Sequence, residues 1–276
     1  MSNRKSEPEI ILASDHQQST RAPDSSPRLL DAVRMAIIAV LALTTLIVGT
    51  IAVIITSVLT FGRAKNFIVE KYGGMMGRII LMIAGVKLKQ EHVGESTNQP
   101  AVYIANHSST LDMFVVMALG LPRIRFVAKS EFLHNPIFAV MGKLTGQIFV
   151  NRQDSVKAVA ALQRAYHRLQ QDRLSLFFMP EGTRRTDGKI GPFKKGAFRM
   201  AMALQYPIVP MHFIGMRQLA SGKSLVVRPG TVKVRFHPAV PTSSWNDATL
   251  EQNMAEIREQ YIEWEREAVS EIAAGL

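Results

Sequence analysis

Met35 to Gly62, MAIIAVLALTTLIVGTIAVIITSVLTFG, is a run of 28 residues without one charged side chain. As a single helix it would be about 42 Å long, more than the roughly 30 Å hydrocarbon core of a bilayer. Helices buried in soluble domains are usually far shorter, so the run is read as a membrane segment. Gly49 near its centre leaves two geometries open, one span or a re-entrant helical hairpin. Whatever folds around it must place one apolar element outside the water-facing body.

The flanks differ from each other. Residues 1–34 are polar, with scattered proline and serine and no periodicity that would bury a face, and are expected to form a disordered tail. They are no secretory signal, because the apolar run begins only after Arg34 and is too long for a signal core. Their five basic and five acidic side chains cancel, so 28 of the 33 basic and 17 of the 22 acidic residues lie from Arg63 onward and carry the whole net charge of +11. Residues 63–89, RAKNFIVEKYGGMMGRIILMIAGVKLK, interrupt apolar patches with Arg63, Lys65, Lys71 and Arg78. This suits a helix at headgroup level or the first amphipathic helix of a soluble domain. The positive-inside bias places the downstream body in the cytoplasm, on the inner face of the cell membrane.

From Pro100 the pattern becomes short apolar runs alternating with helical stretches, which indicates βα units and an α/β fold. Candidate strands are 101–105, 124–128, 147–151, 174–179, 208–214, 224–228 and 231–237; candidate helices are 111–120, 132–144, 154–171, 195–205 and 247–272. Pro229-Gly230 would join the last two strands as a hairpin. The chain is thus expected to divide into a tail (1–34), a membrane-anchoring region (35–86) and an α/β domain (87–276).

NHSSTLD, Asn106 to Asp112, follows the first of these strands. Five residues on a regular helix turn through about 500°, leaving His107 and Asp112 roughly 140° apart and unable to meet. If His107 instead lies in the loop and Asp112 in the first helical turn, the aspartate folds back onto the ring, with the intervening Ser-Ser-Thr as N-cap candidates. Asp112 would then fix the tautomer and leave the other ring nitrogen to take a proton from a hydroxyl. Lys129 and Arg152 each stand beyond another strand, and MPEGTRRTDGKIGPFKKGAF beyond a third. At the carboxyl ends of strands in an open sheet, Arg184 and Lys129 suit a phosphate, with Gly182 and Thr183 giving close backbone approach and a hydroxyl.

Together these stretches resemble the glycerolipid acyltransferases, specifically the 1-acylglycerol-3-phosphate (lysophosphatidate) acyltransferases. The family's His-x4-Asp motif is similar to NHSSTLD, its glycine-to-arginine motif to GQIFVNR (Gly146 to Arg152), its Pro-Glu-Gly-Thr-Arg motif to MPEGTRR, and its proline motif to PIVPM (Pro207 to Met211). Four motifs in order over roughly residues 65–240 make the likeness specific; Met179 and Arg185 depart from the family's usual residues.

The resemblance implies a mixed sheet flanked by helices, as in the glycerol-3-phosphate acyltransferases, with an N-terminal membrane helix or helical hairpin. It implies that His107 deprotonates the sn-2 hydroxyl of a lysophosphatidate, oriented by Asp112. Glu181, Gly182, Thr183 and Arg184, assisted by Arg152 and Lys129, would shape the acceptor-phosphate site. The acyl donor would be acyl-coenzyme A or acyl-carrier protein, the product phosphatidic acid, with no metal or redox cofactor, at a surface of membrane phospholipid. Two other readings remain: an acyltransferase for another lyso-lipid, such as a lyso-ornithine lipid, and a non-catalytic membrane lipid-binding protein. The absence of cysteine excludes disulfides, thiolate metal sites and a cysteine nucleophile. SGKS (221–224) is no P-loop, since position 217 holds Arg217 rather than glycine. Sparse aromatic interleaving among the basic residues argues against nucleic acid.

Overall fold

The structure is a computed structural model that describes residues 29–94, 99–151, 153–185, 187–220 and 226–273; most of the expected tail lies outside them. The uncharged run forms one continuous helix, α1 (Leu29–Leu59). Gly49 does not break it. A Cβ there would stand 1.9 Å from Met76 Sδ, so the glycine serves close approach of the next element. α1 also starts earlier than the uncharged run and includes Arg34, whose guanidinium is satisfied inside the fold: it donates to Val227 O at 3.1 Å and Ala84 O at 3.4 Å.

The chain then returns antiparallel to α1 through α2 (Lys65–Phe67), a π-helical turn (Ile68–Gly73) and α3 (Gly74–Ile83), with Thr56 Oγ1 3.1 Å from Tyr72 Oη. The result is a helical hairpin whose second arm is docked on the sheet-bearing body. At Gly77 a Cβ would lie 2.5 Å from Ala118 N, a crossing that only glycine permits. The helix expected over 63–89 therefore ends at Ile83, and Val86–His92 is a strand instead.

Seven strands, β1 (Val86–His92), β2 (Val102–Ala105), β3 (Ile124–Lys129), β4 (Ile148–Val150), β5 (Ser175–Phe178), β6 (Ile208–Ile214) and β7 (Gly230–Phe236), form a mixed sheet. The order is β1-β7-β6-β2-β5-β3-β4, and β6 with β7 is the antiparallel pair. The hairpin expected about Pro229-Gly230 does not form. Val226–Pro229 is not strand because its main chain is used elsewhere: Val227 O takes Arg34, and Arg228 N–H donates to Leu219 O at 2.7 Å. β7 pairs in parallel with β1 instead.

The helices α4 (Asp112–Leu119), α5 (Pro136–Thr145), α6 (Ser155–Gln171), α7 (Gly196–Leu204), α8 (Met216–Leu219) and α9 (Leu250–Ala273) complete the fold. One core joins the sheet to α3, α4 and α8 through Leu81, Val115, Val116 and Leu219. The other joins it to α6, α7 and α9 through Leu169, Phe198 and Tyr261. β2, β5, β3 and β4 run parallel as neighbours, so the loops after them gather at one edge of the sheet, where open α/β sheets bind ligands.

Candidate active site

β2 ends in Asn106, whose side chain clasps β6. Its Nδ2 donates to Phe213 O at 3.1 Å and its Oδ1 accepts the Phe213 N–H at 2.8 Å. This double bond to a central strand fixes the point at which His107 leaves the sheet. The His107 ring is then met from α4: Nδ1 lies 2.8 Å from Asp112 Oδ2, which also accepts the backbone N–H groups of Ser108 at 2.9 Å and Ser109 at 3.0 Å. Asp112 is fully buried and opens α4. Leu111 precedes the helix without a side-chain cap bond of its own; of the expected Ser-Ser-Thr candidates, Ser109 Oγ accepts the Leu111 N–H at 3.1 Å, and Asp112 satisfies the amides of Ser108 and Ser109 itself.

An ionised carboxylate only accepts, so Nδ1 carries the proton and Nε2 the lone pair. The imidazole is 18% exposed, open to a cavity of about 530 Å³ that it lines.

Glu181, grouped from sequence with the phosphate-binding residues, faces inward. It is 5% exposed; Oε1 accepts the His107 N–H and Oε2 the Gly191 N–H, each at 2.8 Å. Burial raises its pKa, against the lowering by these two bonds. Gly182, at φ +70°, Thr183 and Arg184 follow along the cavity rim together with Lys129. Lys129 is paired with Glu131 at 2.7 Å. Arg152 lies outside the described residues. The structure thus brings together His107, Asp112, Glu181, Gly182, Thr183, Arg184 and Lys129, with Glu181 bracing two loops rather than lining the cavity.

Away from this rim the cavity is apolar, walled by Leu46 and Val53 of α1, Met76 of α3, Phe138 and Met141 of α5, and Phe177. A polar end with a free imidazole nitrogen and cations, joined to a long apolar interior, suits an amphiphile whose reactive group sits between a charged head and a hydrocarbon tail. Among the described residues no cluster of acidic or histidine side chains has the arrangement to hold a metal ion.

Two contributors have no mark in the sequence. Asn106 adjoins the histidine motif, but its partner is 107 residues away. Arg258, in α9, donates to Gly191 O at 2.8 Å and Ile190 O at 2.9 Å, and no local pattern predicts that reach.

The Acyltransferase family profile matches residues 86–214. A 1-acyl-sn-glycerol-3-phosphate acyltransferase from Limnanthes douglasii is 31% identical over 191 residues, 69% of this chain and 68% of its own length. The human 1-acyl-sn-glycerol-3-phosphate acyltransferase beta is 37% identical over 153 residues, 55% of each chain. The crystal structure of the 1-acyl-sn-glycerophosphate acyltransferase PlsC from Thermotoga maritima superposes with a TM-score of 0.71 at 21% identity, covering 85% of this chain and 95% of that one; it shares the fold.

Proposed function

This chain belongs to the 1-acyl-sn-glycerol-3-phosphate acyltransferase family, and from that premise we propose that His107 and Asp112 run the transfer of an acyl group from a thioester to the free hydroxyl of lysophosphatidate, giving phosphatidic acid. The observation that carries this assignment is the 2.8 Å bond from Nδ1 to Asp112, which leaves Nε2 unprotonated in the cavity.

His107 Nε2 removes the hydroxyl proton as the oxygen attacks the thioester carbonyl. Asp112 stabilises the imidazolium that forms, as a buried carboxylate held by two backbone N–H groups can do without moving. The tetrahedral intermediate collapses with loss of the thiolate, which takes the proton back from His107. Atoms balance without an acyl-enzyme. Arg184, with Gly182 and Thr183, faces the acceptor phosphate, and the apolar interior takes hydrocarbon. Acyl-coenzyme A and acyl-carrier protein both fit as donors to a basic surface.

α1 is the anchor. It is the helix among the described residues long and apolar enough to cross a membrane, yet Arg34 ties its start to the catalytic body and Leu46 and Val53 wall the cavity. Its outer face exposes Val40, Ile47, Ile51 and Val58. That one-sided docking supports a helix seated in the lipid beside the domain, with the cavity next to the acyl chains; the basic excess downstream of α1 favours the cytoplasmic face.

The test is an assay of detergent-purified protein with lysophosphatidate and each donor. Wild-type turnover is expected, with a loss of about 10²–10⁴-fold in His107→Ala. Undiminished His107→Ala activity would overturn the base assignment. Turnover of lyso-ornithine lipid in preference to lysophosphatidate would move the acceptor, and no turnover of any lyso-lipid would leave a binding protein.

A further inference from the structure

The loop after β5 leaves the sheet at Pro180 and returns beside itself, with the Lys194 N–H bonded to Pro180 O at 2.8 Å. This closure brings the Lys194 side chain across Gly182. A Cβ on Gly182 would lie 3.0 Å from Lys194 Cε and 3.2 Å from Nζ, so the missing side chain is the space in which the lysine stem lies. Gly182 is also held at φ +70°, which disfavours any other residue there. Gly182 lines the cavity beside His107, so the ammonium, 3.2 Å from where a Gly182 Cβ would stand, lies next to a lining residue.

Three other cations of these loops are already engaged. Lys129 pairs with Glu131 at 2.7 Å, Arg185 with Asp187, and Lys195 with Glu251. Among the described residues neither Lys194 nor Arg184 has a carboxylate at ion-pair distance. Two unneutralised cations therefore flank a glycine at the cavity rim, where a phosphomonoester with close to two negative charges would need two.

We propose that Lys194 is a second phosphate-binding residue, reaching a substrate phosphate across Gly182 and complementing Arg184. The inference rests on the acyltransferase reading above and adds to it a ligand from the return limb of the loop. The phosphate is that of the lysophosphatidate headgroup or one on the donor's pantetheine arm, and the kinetics separate the two.

Lys194→Met and Lys194→Arg are compared with wild type for kcat and KM with lysophosphatidate, with monoacylglycerol of the same chain, and with the acyl donor. The expected result is a rise of about tenfold in one phosphorylated substrate's KM for Lys194→Met, with kcat within about twofold and most of the loss recovered in Lys194→Arg. A rise confined to lysophosphatidate and absent with monoacylglycerol assigns the headgroup, and a rise in the donor KM assigns the donor. Unchanged KM values for both, or equal losses with lysophosphatidate and monoacylglycerol, overturn the proposal. Binding of radiolabelled lysophosphatidate in detergent micelles is measured alongside. Weaker binding in Lys194→Met supports the proposal and assigns the headgroup even if no lyso-lipid turns over, and equal binding together with an unchanged donor KM overturns it, whereas absent wild-type turnover sinks the acyltransferase reading alone.

Discussion

Glu181 and His107 are joined through the main chain rather than through their charges: the carboxylate takes the histidine's backbone N–H at 2.8 Å, and its second oxygen takes that of Gly191. Glu181 thereby holds His107 in register with the loop that carries Gly191. Glu181→Gln offers one acceptor oxygen and turns an NH₂ toward the other amide. One buried N–H is left without a partner, at a cost of about 1–3 kcal/mol. We expect kcat to fall about 10- to 100-fold with little change in the KM for lysophosphatidate. A risen KM at unchanged kcat would make Glu181 a substrate contact instead. Because burial raises its pKa, the carboxylate is protonated above the ordinary glutamate range as pH falls. The acid limb of kcat in the wild type should begin correspondingly high.

Arg258 extends the same brace from outside the profile match, which ends at residue 214. Its guanidinium spans two carbonyls, Gly191 O and Ile190 O, and Gly191 N–H is the group that Glu181 holds. An ammonium cannot present two donors at that spacing in a fixed plane. Arg258→Lys is expected to lower kcat by about fivefold and Arg258→Met by more, as one or two hydrogen bonds of about 1 kcal/mol are lost. Steady-state kinetics on variants of unchanged melting temperature would check this, and wild-type kcat in Arg258→Met would show that the loop holds its place without α9.

Asp112→Asn tests the charge. Oδ2 accepts three N–H groups, and an amide oxygen in its place keeps those acceptor contacts but carries no charge to stabilise the imidazolium. The loss in kcat should be about 10²–10⁴-fold, with circular dichroism unchanged. Retention of kcat within twofold would remove Asp112 from the mechanism.

The parts legible in the sequence were those whose physics is local. β6, IVPMHFI, is buried at all seven positions, so a continuous apolar run marks it. The pairing of His107 with Asp112 follows from the angle between two positions on a helix and needs no distant partner. The parts that were missed depend on who the neighbour is. Val86–His92 carries the alternation of a strand in Val86-Lys87-Leu88-Lys89, but it directly follows a helical segment of similar charge pattern, and only β7 at the sheet edge makes it a strand. The 226–229 segment looked like half of a hairpin until Arg34, 193 residues away from Val227, took its carbonyl. The orientation of Glu181 was likewise hidden. A glutamate in a charged loop reads as a ligand, and only its near-complete burial between two amides shows it as a brace.

The last prediction concerns the side of the sheet away from the cavity. The His237 ring stacks on Trp264 with centroids 3.4 Å apart and an interplanar angle of 9°, and its Nε2 is buried without a partner. Burial, followed by the charges of His212 and Arg235, lowers its pKa to about 4 from 6.5. His212 is itself bonded to Glu265 at 2.9 Å, and Arg235 is paired with Glu91 and Glu271. The unfolded chain takes up the His237 proton near pH 6.5 and the folded one near pH 4. The neutral ring's contribution is therefore complete above pH 6.5, is lost as pH falls through that window, and changes no further below pH 4. A shift of this size in a partly screened site is on the order of 2 kcal/mol, or about 4–8 °C in Tm for a domain of this size. His237→Phe keeps the stacked ring and removes the titration. Its Tm should accordingly fall less than that of the wild type between pH 7 and pH 4, by about that interval, in detergent at constant ionic strength. Parallel Tm curves for the two proteins would show that His237 titrates alike in the folded and unfolded chains.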